Sequence, residues 1–226
     1  MKLQGFAAAA AMVFAAAAAQ GAQAATIDWT QWGPFNTAGG TASGTAGGVG
    51  VSFSGEVENL FTGYPSWGPA GSYVGGTVSN APPAAGGIVQ QFGGNGAVIN
   101  TITFSQAETN PVIAIWSLGQ GGINASYNFI NAPFTIEAGG PSNEYGGASI
   151  TASGDTVFGS EGNGVIQFQG TFNSISWTNP TFENWYGFTV GVDAVPEPAS
   201  WAMMLVGVGA IGAAMRRSRK VGAVVA

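Results

Sequence analysis

The sequence predicts an all-β protein, an antiparallel β-sandwich or jelly-roll-like ectodomain, on three observations. Short runs of β-branched and aromatic residues recur between residues 25 and 194, clusters of Gly, Asn and Pro separate them, and helix formers such as Lys, Glu, Leu and Arg are scarce. The first clear run, VGVSFSG (Val49–Gly55), alternates apolar and small polar residues. AVINTITF (Ala97–Phe104) follows the turn sequence GGNG, and PVIAIWSL (Pro111–Leu118) ends at GQGG. PFTIE (Pro133–Glu137) precedes GGPSNEYGG, and GVIQFQG (Gly164–Gly170) follows SEGNG. TFNSISW (Thr171–Trp177) sets Ile175 and Trp177 against Ser174, Ser176 and Thr178. WYGFTVGVD (Trp185–Asp193) sets Phe188, Val190 and Val192 against Thr189, Gly191 and Asp193, again with period two. Trp116, Phe129, Phe134, Phe168, Trp177 and Phe188 are the expected core. The tract NTAGGTASGTAGG (Asn36–Gly48) reads as a flexible loop, and no helical periodicity of useful length occurs outside the two ends.

Charge narrows the chemistry. Of the five basic residues, Lys2 is near the N-terminus and Arg216, Arg217, Arg219 and Lys220 are in the tail, so nothing between Leu3 and Met215 is basic. There is no His and no Cys, while ten of the eleven acids lie between residues 25 and 194. These absences exclude thiol, imidazole and lysine catalysis, an Arg clamp for phosphate, and His- or Cys-based metal sites. A body with only negative charges repels nucleic acid, whose binding depends on cations that release counterions. Carboxylates, amides, hydroxyls and aromatics remain, suited to sugar or calcium binding or to carboxylate-only catalysis.

The ends carry targeting patterns. Lys2, the apolar stretch Phe6–Ala19 and the small-residue site Ala22-Gln23-Ala24 make residues 1–24 a secretory signal peptide. The ectodomain then spans 25–194. Ala199–Met215 is an uncharged apolar run of 17 residues, about 26 Å long as a helix and at the lower limit for crossing a bilayer. The basic cluster Arg216, Arg217, Arg219, Lys220 acts as a stop and sets that side as cytoplasmic. Pro196 and Pro198 keep VPEP extended outside the bilayer, as a protease requires. GVGAIG (Gly207–Gly212) fits a dinucleotide-binding formula but lies inside this run, not between a strand and a helix, so it reads as membrane sequence.

PEPASWAMM, the apolar run and RRSRK together resemble the PEP-CTERM sorting signal of Gram-negative bacteria in its PEPxxWA variant. The matching positions are Pro196, Glu197, Pro198, Trp201 and Ala202. The resemblance covers 195–220 and leaves 221–226 as an extra tail. It implies processing by an exosortase-type membrane enzyme during export, with a transmembrane helix holding the chain until then, and a final place in the cell envelope or outside the cell. It also implies an association with extracellular polysaccharide, and the stretch from Asn173 to Pro198 resembles the last strands of many such ectodomains, which are often sandwiches similar to lectin modules. Some ice-binding proteins carry the same signal, but no regular T-x-T array is seen in this sequence.

Three constellations are candidate sites. Tyr64, Trp67 and Tyr73 crowd the Pro/Gly-rich stretch Phe61–Gly76, where aromatic faces could stack on sugar rings or fold back over the end of the sandwich. Trp185 and Tyr186 form a weaker version of the same pattern. Asp155, Glu161 and Asn163 offer oxygens for calcium within nine positions, without EF-hand spacing, and otherwise read as solvated turn polarity. Glu56 and Glu58 are expected on one face of a strand, a spacing that selects no glycosidase pair. Asn124-Ala125-Ser126 fits a glycosylation sequon. The leading expectation is a non-enzymatic, cofactor-free exported protein of structural or adhesive role in contact with exopolysaccharide. A carbohydrate-binding module with a defined ligand is the alternative, and a carboxylate-only glycoside hydrolase the third reading.

Overall fold

The computed structural model of the protein describes residues 24–194 and 203–212. The chain divides into two units, Met1–Asp193 and Ala194–Ala226. The first is all β. Its strands begin with β1 (Ile27–Trp29), β2 (Gln31–Asn36), β3 (Thr41–Ala46) and β4 (Val49–Ser54). Then come β5 (Asn59–Phe61), β6 (Ile88–Gln91), β7 (Asn100–Thr109) and β8 (Val112–Leu118). The middle holds β9 (Ala125–Phe129), β10 (Phe134–Gly140), β11 (Ala148–Ser149) and β12 (Thr151–Ser153). The unit closes with β13 (Thr156–Gly159), β14 (Gly162–Phe168), β15 (Thr171–Thr178) and β16 (Tyr186–Asp193).

These strands form two sheets of eight, antiparallel apart from the short β11–β14 pair. The first runs β10-β14-β8-β16-β6-β5, with β1 beside β16 past the end of β6 and β11 beside β14. The second runs β12-β13-β9-β15-β7-β4-β3-β2. Alternation along each strand decides what it buries. In β8, Ile113 and Ile115 enter the core between the sheets, whereas Val112, Ala114 and Trp116 face the other way. That outer face is covered by the long connection from Thr62 to Gly87, which lays Trp67, Tyr73 and Val78 against it beside Ile27 and Trp29 of β1. Covered on both faces, β8 and β14 are buried throughout, which explains their continuous apolar reading. The second sheet has one covered face. Its strands β4, β7 and β15 keep the apolar-in, polar-out alternation of a half-exposed sheet.

All the expected core residues except Phe134 are buried, and Phe134 packs against the core at half exposure. The tract Asn36–Gly48 is not a loop, because its central residues Thr41–Ala46 form β3 between β2 and β4. Ala42 and Ala46 are small enough to bury there, and Thr41, Ser43 and Thr45 face outward. Glu56 and Glu58 do not share a strand face. They lie in the connection between β4 and β5, where Val57 alone is buried between them.

A polar seam ties the two sheets together at one end. Tyr127 Oη donates to Gln91 Oε1 (3.0 Å), Gln91 Nε2 to Asn100 Oδ1 (2.9 Å) and Asn100 Nδ2 to Asn179 Oδ1. Asn179 Nδ2 in turn donates to Tyr186 Oη and to Glu56 Oε2, both at 2.9 Å. Burial raises the Glu56 pKa above its ordinary value, although Gly93 and Phe92 backbone N–H groups oppose the shift.

Of the apolar run expected from Ala199 to Met215, the described residues form a helix over 203–212 whose side chains are exposed. Among the described residues, no helix is long and apolar enough to cross a membrane. The expected signal peptide of residues 1–24 lies outside the described residues apart from Ala24, and so do Pro196, Glu197, Pro198, Trp201, Ala202, Arg216, Arg217, Arg219 and Lys220.

Candidate functional site

The three aromatics that could either stack on sugar or pack over the sandwich do not act together. Trp67 is 2% exposed and Tyr73 0% exposed, their rings meeting edge to face at 5.3 Å beneath the first sheet's covering segment. Tyr73 Oη donates to Asn163 Oδ1 (3.3 Å), and burial pushes its pKa far up. Neither ring has a face free for a ligand, because both serve to cover the outer side of β8 and β14. Tyr64 differs. It is half-exposed and stands edge-on to Trp116 at 5.4 Å, with Trp185 6.0 Å away.

Around Tyr64 the fold gathers an aromatic platform that the sequence does not show as one unit. Trp116 forms its floor, on the outward side of β8. Trp185, just before β16, packs against Trp116 at 4.9 Å and stacks on Phe61 from the end of β5 at 5.0 Å. Tyr145, from the loop between β10 and β11, lies 5.2 Å from Trp116 and is 49% exposed. Tyr64, Trp185 and Phe61 are half-exposed, so the platform presents ring surface over a sealed base.

Glu144 fixes the platform's polar rim. Its Oε1 accepts from Ser66 N–H (2.8 Å) and its Oε2 from Trp116 Nε1–H (3.2 Å). Burial alone would raise this carboxyl, but the bonds from Ser66 and Trp116 outweigh it and its pKa falls below the ordinary value. Glu144 is therefore an anion at neutral pH. Gly147 permits the loop that carries Glu144 and Tyr145. Its φ is +78°, and a Cβ there would overlap the Glu161 carbonyl oxygen.

The proposed calcium ligands separate. Asp155 sits in the β12–β13 turn and Glu161 beyond the far end of β13, roughly 13 Å or more along the chain at 3.3 Å per strand residue. Asn163 is buried and its amide is fully engaged. Oδ1 accepts from Ser117 N–H (2.8 Å), and Nδ2 donates to the Glu161 carbonyl (2.9 Å) and the Gly146 carbonyl (3.2 Å). The amide thus serves the bulge between β14 and β8, where Ser117 and Glu161 adopt φ of 58° and 57°. Ser117 Oγ closes the bulge by donating to Glu161 Oε2 (2.5 Å). Among the described residues, no group of three or more His, Cys, Asp or Glu is placed to hold a metal ion.

Glu183 was not singled out from sequence. It is 3% exposed, with Oε1 accepting from Trp185 N–H (2.7 Å) and Oε2 without a partner. Burial first, then the negative charge of Glu161, lift its pKa to about 7. Glu183 anchors the strap that delivers Trp185, and its own backbone N–H bonds the Phe92 carbonyl (2.7 Å). Tyr186, the neighbour of Trp185, is buried in the polar seam and is not part of the platform.

No curated protein and no solved structure matches the chain. The family model described as the PEP-CTERM protein-sorting motif matches residues 194–220, which include Pro196, Glu197, Pro198, Trp201, Ala202 and the basic cluster. The chain therefore carries a PEP-CTERM protein-sorting motif, the mark of an exported protein sorted by exosortase to the cell envelope or beyond.

Proposed function

We propose that the protein is a non-enzymatic, cofactor-free component of the envelope or extracellular matrix that adheres to exopolysaccharide through Tyr64, Tyr145 and Trp185, which stand on the buried Trp116. In this reading the apolar run 199–215 holds the chain in the inner membrane until exosortase processes it. The observation that supports adhesion is the half-exposed aromatic surface with an ionised carboxylate at its rim. Ring faces offer a sugar an apolar plane, and Glu144 accepts hydrogen bonds from its hydroxyls.

Affinity gel electrophoresis of the exported protein in neutral and acidic polysaccharides, the producing strain's own included, tests this. Tyr145→Ala and Trp185→Ala should each weaken retardation by about tenfold or more, as expected when an aromatic anchor is lost. Unchanged retardation in both variants would remove the platform from binding.

A further inference from the structure

The outer face of the second sheet carries an ordered grid of hydroxyls, built from strands that are distant in sequence. Pairing sets Thr41 opposite Ser54, Ser54 opposite Thr101, and Thr101 opposite Ser176. The next row sets Ser43 opposite Ser52, Ser52 opposite Thr103, and Thr103 opposite Ser174. Each strand contributes an alternate-residue pair, so the hydroxyls recur about every 4.8 Å across the strands and about 6.8 Å along them. Six of the eight are exposed, and Thr101 and Ser176, whose hydroxyls lie 2.9 Å apart, are half-exposed. The sequence shows only fragments of this array, such as Thr41-x-Ser43 and Ser174-x-Ser176, and strand pairing completes it.

The grid is neutral. None of its eight members is charged, while ten acids and no base occupy residues 25–194, so an anionic polymer meets repulsion and finds no counter-charge. At the β2 edge lies a groove of about 420 Å³, lined by Pro34, the exposed Phe35 and Asn36 together with Thr41, Ser43, Ser52 and Ser54. Hydroxyls both donate and accept, so such a surface suits a partner that is itself a periodic, uncharged polyol. Successive strands in a sheet rotate by about 20–25° relative to one another, which suits a flexible chain better than a flat crystal plane such as ice.

We propose that this face is a second binding surface, specific for a neutral polysaccharide chain, and that one molecule bridges two chains through opposite faces of the sandwich. The bridging rests on the platform reading above. The hydroxyl face stands apart from it, because the platform lies on the outer side of the first sheet and the grid on the outer side of the second.

The test uses the exported protein as recovered from the producing cells and a panel of soluble neutral glucans, each both bead-bound and fluorescently labelled. Wild type, Tyr145→Ala with Trp185→Ala, Ser43→Glu with Thr103→Glu, and the four-site variant are compared for bead binding and for recruitment of labelled polymer to loaded beads. The glutamates sit two strands apart on exposed positions, and unchanged melting curves will show that the fold is retained. The expected result is that wild type recruits polymer, each double variant still binds beads but recruits at least tenfold less, and the four-site variant does neither. Recruitment by the Ser43→Glu, Thr103→Glu protein at the wild-type level would overturn the second surface and leave the platform standing. Loss of all binding in that protein, with none in the platform variant, would overturn the platform and the bridge while leaving the face. Arrest of ice growth by a wild type that binds no glucan would overturn the polysaccharide assignment of the face.

Discussion

Phe188→Ala should cost about 3–5 kcal/mol of folding stability, the range for emptying a buried phenylalanine site. Phe188 is fully buried at the centre of the core between the sheets. Its ring meets Phe53 at 5.1 Å, Trp177 at 5.1 Å and Trp32 at 6.2 Å, so it joins β16 of the first sheet to β4, β15 and β2 of the second. Those neighbours are held by sheet pairing on their own strands and cannot collapse into the space left behind. Against a typical total of about 5–15 kcal/mol, the loss leaves a marginal fold. Urea denaturation checks it, and a midpoint close to wild type would show that the sheets are not locked through this ring.

Glu183→Gln should stabilise the protein at alkaline pH and flatten its pH dependence. The Glu183 pKa is lifted from 4.5 to about 7 by burial and by Glu161, so between those values the native state keeps a proton that the unfolded chain releases. The linkage sign follows. This group's contribution is greatest below about pH 4.5, falls as pH rises through about 7, and is constant above. At 1.36 kcal/mol per unit, the fall amounts to about 3 kcal/mol by pH 8. Glu56, whose pKa is also raised, slopes the same way, whereas the lowered pKa of Glu144 costs stability as the solution becomes acidic. Urea unfolding at pH 5 and pH 8 should therefore show wild type losing stability over that interval and the Gln variant losing much less. Equal slopes in the two proteins would mean that Glu183 ionises freely in the fold.

The strands that carry both sheets were readable where alternation or a long apolar run is strong. Val49–Ser54, Val112–Leu118, Thr171–Thr178 and Tyr186–Asp193 fall within a residue or so of their expected bounds. β3 was not readable, because Gly, Ala, Thr and Ser signal a flexible tract when β2 and β4, which make it a strand, are not in view. The aromatic stretch Phe61–Gly76 left both sugar stacking and packing over the sandwich open for a related reason. Trp67 and Tyr73 lack a local apolar pattern, and only the open outer face of β8 and β14 gives them somewhere to bury. The platform draws Tyr64, Trp116, Tyr145 and Trp185 from four separate segments, and no short motif encodes such convergence. Glu183 looks like any loop acid until Phe92 and Trp185 close over it. The sorting motif was fully readable because it acts as a linear signal, recognised by residue order and not by a fold.

Mass spectrometry of the mature C-terminus, combined with fractionation of the producing cells, tests the central claim most directly. A protein sorted through its PEP-CTERM motif should be recovered from the envelope or the extracellular fraction with its chain ending before the basic cluster Arg216–Lys220. A chain intact through Lys220 and confined to the inner membrane would contradict the account.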